Sequence, residues 1–369
     1  MFLTSLVANE ENNKDLAIHH FMQGEFLLNQ GNYALAVLEF QDALEIDPNA
    51  ATIHISIADG YRRLGRSKHA ENHLEIAITL DSNDITAREM LGQLYLLNRQ
   101  YKLAENQFLA LSKIDLTNDN YLSILGDLAK LQKEWNKSID FYLKAYQINP
   151  QNFKVLESAM QICLSVELFK KAEQICKMLV DYNINNSSYW FSYKQITAYN
   201  KNYHNTLNAI NELERIEGES IKLTLEKSAI IQELNNIKEA IKILLKAHEP
   251  DSANAEIVKR LVSLYLEDQN FEDAEIFNML LLREFSDDSA GYINAAIISL
   301  NNDSPSAAIK YLEPVITRFN DNYSALYLLG TSYFQNKDLS NAEKYLSLSL
   351  AVYPPVSYTH LTLPTILLV

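Results

Sequence analysis

Glycine, proline and cysteine are scarce in this chain, with nine, eight and two copies among 369 residues. So few glycines leave little material for a phosphate-cradling loop. Neither G-x-x-x-x-G-K-[ST] nor G-x-G-x-x-G occurs, which argues against a nucleotide site. Two cysteines, Cys163 and Cys176, cannot staple a disulfide scaffold, and they lack the second pair that a structural zinc site would need. No Pro-, Gly- or Ser-rich linker divides the chain, although its length exceeds what one core ordinarily fills. No apolar run is long enough to cross a bilayer, so an integral membrane protein is not expected. Positive charge is also short: 32 Lys and Arg face 47 Asp and Glu, a net charge of −15. That balance opposes phosphate backbones and anionic lipid, and a nucleic-acid partner is not expected.

What the chain does have is 47% hydrophobic residues and a repeat. Residues 17–50, AIHHFMQGEFLLNQGNYALAVLEFQDALEIDPNA, read as two amphipathic helices joined by a Gly-Asn turn and closed by Asp-Pro. A shift of 34 residues places Gly24 over Ala58 and Gly92, Ala36 over Ala70 and Ala104, and Phe40 over Leu74 and Phe108. Ten units follow in phase, beginning at Ala17, Ala51, Ile85, Asp119, Phe153, Ser187, Ile221, Ala255, Ser289 and Tyr323. Counting places from those residues, place 20 reads Ala36, Ala70, Ala104, Ser138, Ala172, Thr206, Ala240, Ala274, Ala308 and Ala342. Small side chains recur where two antiparallel helices approach most closely, so this column marks the contact of the second helix with the first.

Place 8 serves the same contact from the first helix through Gly24, Ala58, Gly92, Gly126, Ala296 and Gly330. Met160, Lys194, Ser228 and Val262 depart from it, which predicts a less regular middle of the array. Bulky residues at place 17, namely Tyr33, Tyr101, Trp135, Phe169, Tyr203 and Phe271, mark where the second helix begins. Asp47-Pro48, Asn149-Pro150 and Tyr353-Pro354 stop it, because proline pushes the preceding residue out of the α region.

This 34-residue helix–turn–helix pattern resembles the tetratricopeptide repeat over residues 17–355. The resemblance implies an all-α, right-handed superhelical solenoid of antiparallel helix pairs, whose inner groove binds a peptide or protein partner. It also implies that places 2, 5, 9 and 12 of each first helix line that groove. Place 9 runs Glu25, Asp59, Gln93, Asp127, Gln161 and Gln195, then Ala229, Ser263, Ile297 and Thr331. The first part is a ladder of carboxylates and amides that suits an extended backbone or Lys and Arg. The last part, with Ile293, Ile297, Leu300, Tyr327 and Phe334, is an apolar and aromatic strip suited to a hydrophobic anchor; Leu300 and Phe334 equally suit the junction between repeats. Reversal of Glu25, Asp59 and Asp127 to Lys is expected to weaken binding and to leave folding intact. Some relatives grip a C-terminal carboxylate with Lys, Asn and Arg on this flank. Here place 5 reads Phe21, Ile55, Glu89, Ser123 and Glu157, so that clamp is absent and a basic or amphipathic segment is the expected partner.

No catalytic constellation stands out, because the carboxylates are scattered over every repeat as a solvated helix face would have them. His69 and His73 in HAENH are spaced i, i+4, but the Glu is in the wrong place for H-E-x-x-H and no third ligand is indicated. His19 and His20, near His54 of the next repeat, are discounted alike, and neither a metal nor a cofactor is expected. Cys163 and Cys176, at places 11 and 24 of the fifth repeat, are expected to face the interior as packed thiols, with a disulfide between them as the alternative if the protein is exported.

The reading is a non-catalytic interaction scaffold. Its alternative is the partner-docking half of a larger enzyme, for example a transferase, with its catalytic domain beyond residue 355. Residues 1–16 are short, apolar and then polar, in keeping with the remnant of an export signal or with a frayed terminus, and the compartment stays open. After Pro355, VSYTHLTLPT is encodable by the transposase adaptor end of sequencing libraries. Residues 356–369 are therefore expected to be a non-native tail, with the natural chain continuing differently.

Overall fold

The computed structural model describes residues 2–249 and 254–352, so the expected tail at 356–369 lies outside the described residues. The described residues form twenty α-helices and no strand, and they fall into two compact halves, Met1–Asn183 and Ile184–Val369. The N-terminal half holds α1 (Phe2–Asn29), α2 (Tyr33–Ile46), α3 (Ala51–Arg63), α4 (Ser67–Leu80) and α5 (Ile85–Leu97). It continues with α6 (Tyr101–Ile114), α7 (Asp119–Leu131), α8 (Trp135–Ile148), α9 (Lys154–Ser165) and α10 (Phe169–Tyr182). The C-terminal half holds α11 (Ser187–Tyr199), α12 (Tyr203–Glu217), α13 (Ile221–Glu233), α14 (Ile237–His248) and α15 (Ala255–Glu267). It ends with α16 (Phe271–Glu284), α17 (Ser289–Asn301), α18 (Pro305–Leu312), α19 (Tyr323–Gln335) and α20 (Leu339–Val352).

Odd-numbered helices are the first, and even-numbered helices the second, of each repeat. From α3 onward the first helices begin on the expected residues, with α9 one residue late. The place-17 residues open α2, α6, α8, α10, α12 and α16. Asp47 and Asn149 cap the ends of α2 and α8 as the prolines after them require.

The place-20 column is buried in all ten repeats. Its partner at place 8 packs on place 24: a Cβ on Gly24 would lie 2.5 Å from the Phe40 ring, one on Gly92 2.9 Å from Phe108, and one on Gly126 2.5 Å from Tyr142. Where place 8 carries a larger side chain, place 24 does without an aromatic ring, as in Ala58 with Leu74, Met160 with Cys176 and Ser228 with Leu244. The volume is shared between the two helices rather than assigned to either, as close packing demands. Lys194 at place 8 is buried with its ammonium paired to Glu226 of the next repeat and 4.9 Å from the centre of the Phe191 ring. The departures at place 8 do not shorten the middle helices: α9 to α16 keep 12 to 15 residues each.

Two helices depart from the repeat in length. Helix α1 begins at Phe2 instead of Ala17, so the segment before the first repeat continues its first helix. Helix α18 stops after 8 residues, because Pro314 has no N–H to extend it. The backbone continues in turns with i to i−3 bonds, Val315 N–H to Leu312 O and Arg318 N–H to Val315 O.

Every turn between the paired helices uses a left-handed residue at place 15. Gly31 and Gly65 supply it in the first two repeats, and Arg99, Lys133, Glu167, Lys201, Asn235, Gln269, Asp303 and Lys337 in the rest, at φ between 52° and 64°. The following N–H reaches back over the helix end, as Glu134 N–H does to Ala129 O at 2.8 Å. A left-handed non-glycine residue costs about 1–2 kcal/mol, only partly offset by the greater entropy of glycine in the unfolded chain. Lys133→Gly, on an exposed side chain, is therefore expected to stabilise the protein by about 0.5–1 kcal/mol in thermal or urea unfolding.

Candidate functional site: the open flank of the first helices

Along each first helix, places 3, 7, 8, 10 and 11 are predominantly buried, while places 2, 5, 9 and 12 stay half-buried or exposed in nearly every repeat. The expected stripe is thus the open side of the first helices in each half. In the N-terminal half it carries Glu25 on α1, Asp59 on α3, Gln93 on α5, Asp127 on α7 and Gln161 on α9. In the C-terminal half it carries Gln195 on α11, Ile293 and Ile297 on α17, and Tyr327 and Phe334 on α19.

The ladder does not offer its charges freely. Glu25 accepts a hydrogen bond from the Ser56 hydroxyl at 2.6 Å. Asp59 is held by Arg62 and Arg63; burial works against its charge, but the bonds from those two guanidinium groups prevail and keep the carboxyl below its usual range. Asp127 accepts from the buried Tyr142 hydroxyl at 2.6 Å, so lysine there would leave a buried donor unpaired. Reversal of Asp127 would thus weaken the fold, contrary to the expectation from sequence. Gln93, Gln161 and Gln195 are exposed.

The apolar strip also divides. Ile293, Ile297 and Leu300 are half-buried against the core around Ala296, Leu312 and Leu329, so Leu300 fills the junction. Tyr327 is half-buried and stacked on Tyr323 at 5.9 Å, whereas Phe334 is 61% exposed. Sequence reasoning missed the residues one helical turn beyond the ladder, at place 13. Leu97 follows Gln93, Leu131 follows Asp127 and Tyr199 follows Gln195, each at i+4 and hence on the same face, with exposures of 75%, 58% and 66%. Place 13 is apolar or aromatic only in these three repeats, and reads Asn29, Arg63, Ser165, Glu233, Glu267, Asn301 and Gln335 in the others.

The histidines pair between the two helices of one repeat. His20 meets Glu39 at 2.8 Å, His54 meets His73 at 3.0 Å between Nδ1 atoms, and Arg88 meets Gln107 at 3.0 Å, all joining place 4 to place 23. His69 packs on the ring of Tyr61 at 5.0 Å, and His73 on the same ring at 5.8 Å. Burial, then the neighbouring His54 and His69, push the His73 imidazole down to about 4. Cys163 and Cys176 are buried thiols; burial raises both, Cys176 to about 12, which leaves neither poised as a nucleophile.

A tetratricopeptide repeat family model matches residues 5–51 and 294–355. The chain is similar to human protein O-mannosyl-transferase TMTC3, at 22% identity over 367 residues, 96% of this chain and 37% of TMTC3. It is also similar to bovine BBSome complex member BBS4, at 27% identity over 146 residues, 39% of this chain and 27% of BBS4. The chain thus spans little more than a third of the first relative and about a quarter of the second. Among solved structures, yeast Tom70 aligns over 92% of this chain and 86% of its own at 14% identity, with a TM-score of 0.42. The family model matches both ends, and the same helix pair recurs in phase through the described residues between them: the chain has the fold of a tetratricopeptide repeat array.

Proposed function

We propose that this chain is a non-catalytic scaffold that holds a basic, amphipathic segment of a protein partner on the open flank of its first helices. The observation that carries this reading is the alternation on that flank. In the N-terminal half, the amide of Gln93 and the carboxylate of Asp127 at place 9 stand one turn from exposed Leu97 and Leu131 at place 13. Such a face buries apolar anchors while its polar rungs meet backbone amides or cationic side chains. The net charge of −15 favours approach of a cationic segment. The name of BBS4 describes a member of a protein complex, in keeping with a role in assembly.

A second reading has one specific support. The match to TMTC3, a protein O-mannosyl-transferase by name, covers 96% of this chain and occupies 37% of that protein. In that reading the scaffold is the docking part of a larger transferase, and the same flank presents the partner.

Panning a random peptide display library on the full chain tests both. Selected peptides are expected to carry Lys or Arg around apolar anchors. The double variant Leu97→Asp, Leu131→Asp is expected to bind them at least about tenfold more weakly, the loss of roughly 1.4 kcal/mol. Its unfolding should shift by no more than about 0.5 kcal/mol per site, because both side chains are exposed. Equal affinity in the variant would remove the flank from the function.

A further inference from the structure

In the first repeat a histidine and two carboxylates converge from two helices. His20 on α1, with Glu39 and Asp42 on α2, place one donor atom each within 4.8 Å of one another, the only group of three His, Cys, Asp or Glu donors so arranged among the described residues. Glu39 and Asp42 are spaced i, i+3 on α2, so their side chains share a face, and two carboxylates so placed repel unless a cation intervenes. His20 Nδ1 already stands 2.8 Å from Glu39 Oε2. His20 and Glu39 are half-buried and Asp42 is exposed, so two donors are held by packing and the third swings freely.

We propose that His20, Glu39 and Asp42 bind a first-row transition dication, zinc foremost. Zinc bonds to imidazole nitrogen and carboxylate oxygen at about 2.0–2.2 Å, which a small rotation of the exposed Asp42 side chain allows. Three protein ligands leave a coordination position to water, as in an open zinc site. The imidazole selects against calcium and magnesium, which prefer all-oxygen shells. The excess of acidic groups across the chain raises the local cation concentration. The site lies between the two helices of one repeat, where an ion would tie α1 to α2. The His54–His73 pair at the same two places of the second repeat offers two nitrogens, with Ile76 standing where the first repeat has Asp42.

Calorimetric titration of the tag-free full chain with zinc chloride tests this, with thermal unfolding as a second readout. The wild type is expected to show one saturable site and a zinc-dependent rise in melting temperature. His20→Ala and Asp42→Asn should each weaken binding about tenfold or more, while His73→Leu leaves it unchanged. Excess calcium or magnesium should not compete. Asp42→Asn alters an exposed side chain, and its circular dichroism should match the wild type. Absence of saturable binding, unchanged binding in both His20→Ala and Asp42→Asn, or loss in His73→Leu instead, would overturn the proposal.

Discussion

Gly126→Ala is expected to destabilise the protein by about 1–3 kcal/mol, the usual effect of overpacking a filled core. The added methyl would lie 2.5 to 3.0 Å from three atoms of the Tyr142 ring. Tyr142 cannot retreat, because it is buried and its hydroxyl is bonded to Asp127, while the Ser138 hydroxyl donates to the Gly126 carbonyl at 2.7 Å. Tyr142→Leu alone should also cost about 1–3 kcal/mol, through the cavity it opens. Together the two changes recreate the natural pairings Ala58 with Leu74 and Ala296 with Leu312. The double variant is therefore expected to be less destabilised than the sum of the singles by about 1 kcal/mol or more. Urea unfolding, with amide exchange in α7 and α8 as the local readout, measures this. Strict additivity would show that the two places do not share one packing volume.

Acid should weaken the fold before the carboxylates titrate. His73 is held at about 4 in the folded protein against 6.5 as the ordinary value, and burial lowers His54 as well. Between pH 6.5 and 4 the unfolded chain takes up a proton that the folded chain refuses, so stability falls as pH falls. Above 6.5 neither state is protonated there, and below about 4 both are. The loss from His73 is expected to reach about 1–3 kcal/mol, less than the full shift would imply because the ring is partly open to water. Asp59, Glu105 and Asp288 have lowered carboxyls and lose their stabilisation in a more acid range. Comparing unfolding at pH 7 and pH 5 isolates the histidine contribution. His73→Leu should flatten that difference; an equal acid sensitivity in the variant would assign it to other groups.

The phase of the repeats was legible in the sequence because one contact, place 8 against place 20 and its neighbours, recurs every 34 residues and tolerates little volume. The turns were less legible. Only Gly31 and Gly65 announce a left-handed residue, and the backbone bond that enforces it elsewhere involves no side chain at place 15. The shortening of α18 was written in Pro314, which the repeat pattern overshadowed. Places 2, 5, 9 and 12 lie on the open side of the first helices, but the bonding of their side chains was not legible. Whether Glu25, Asp59 and Asp127 are available depends on Ser56, on Arg62 and Arg63, and on Tyr142, whose approach only the folded helices decide. Leu97 and Leu131 were there to be read at i+4 from the ladder.

The flank itself is tested most directly by photo-cross-linking. A photoreactive phenylalanine analogue placed singly at Gln93, Gln161 or Gln195 sits on the open side of a first helix, and at Asn72 or Asn106 on an exposed position of a second helix. With a labelled peptide selected on the full chain, cross-links are expected from the first set and not from the second. Cross-links from Asn72 or Asn106, with Gln93, Gln161 and Gln195 silent, would contradict the account.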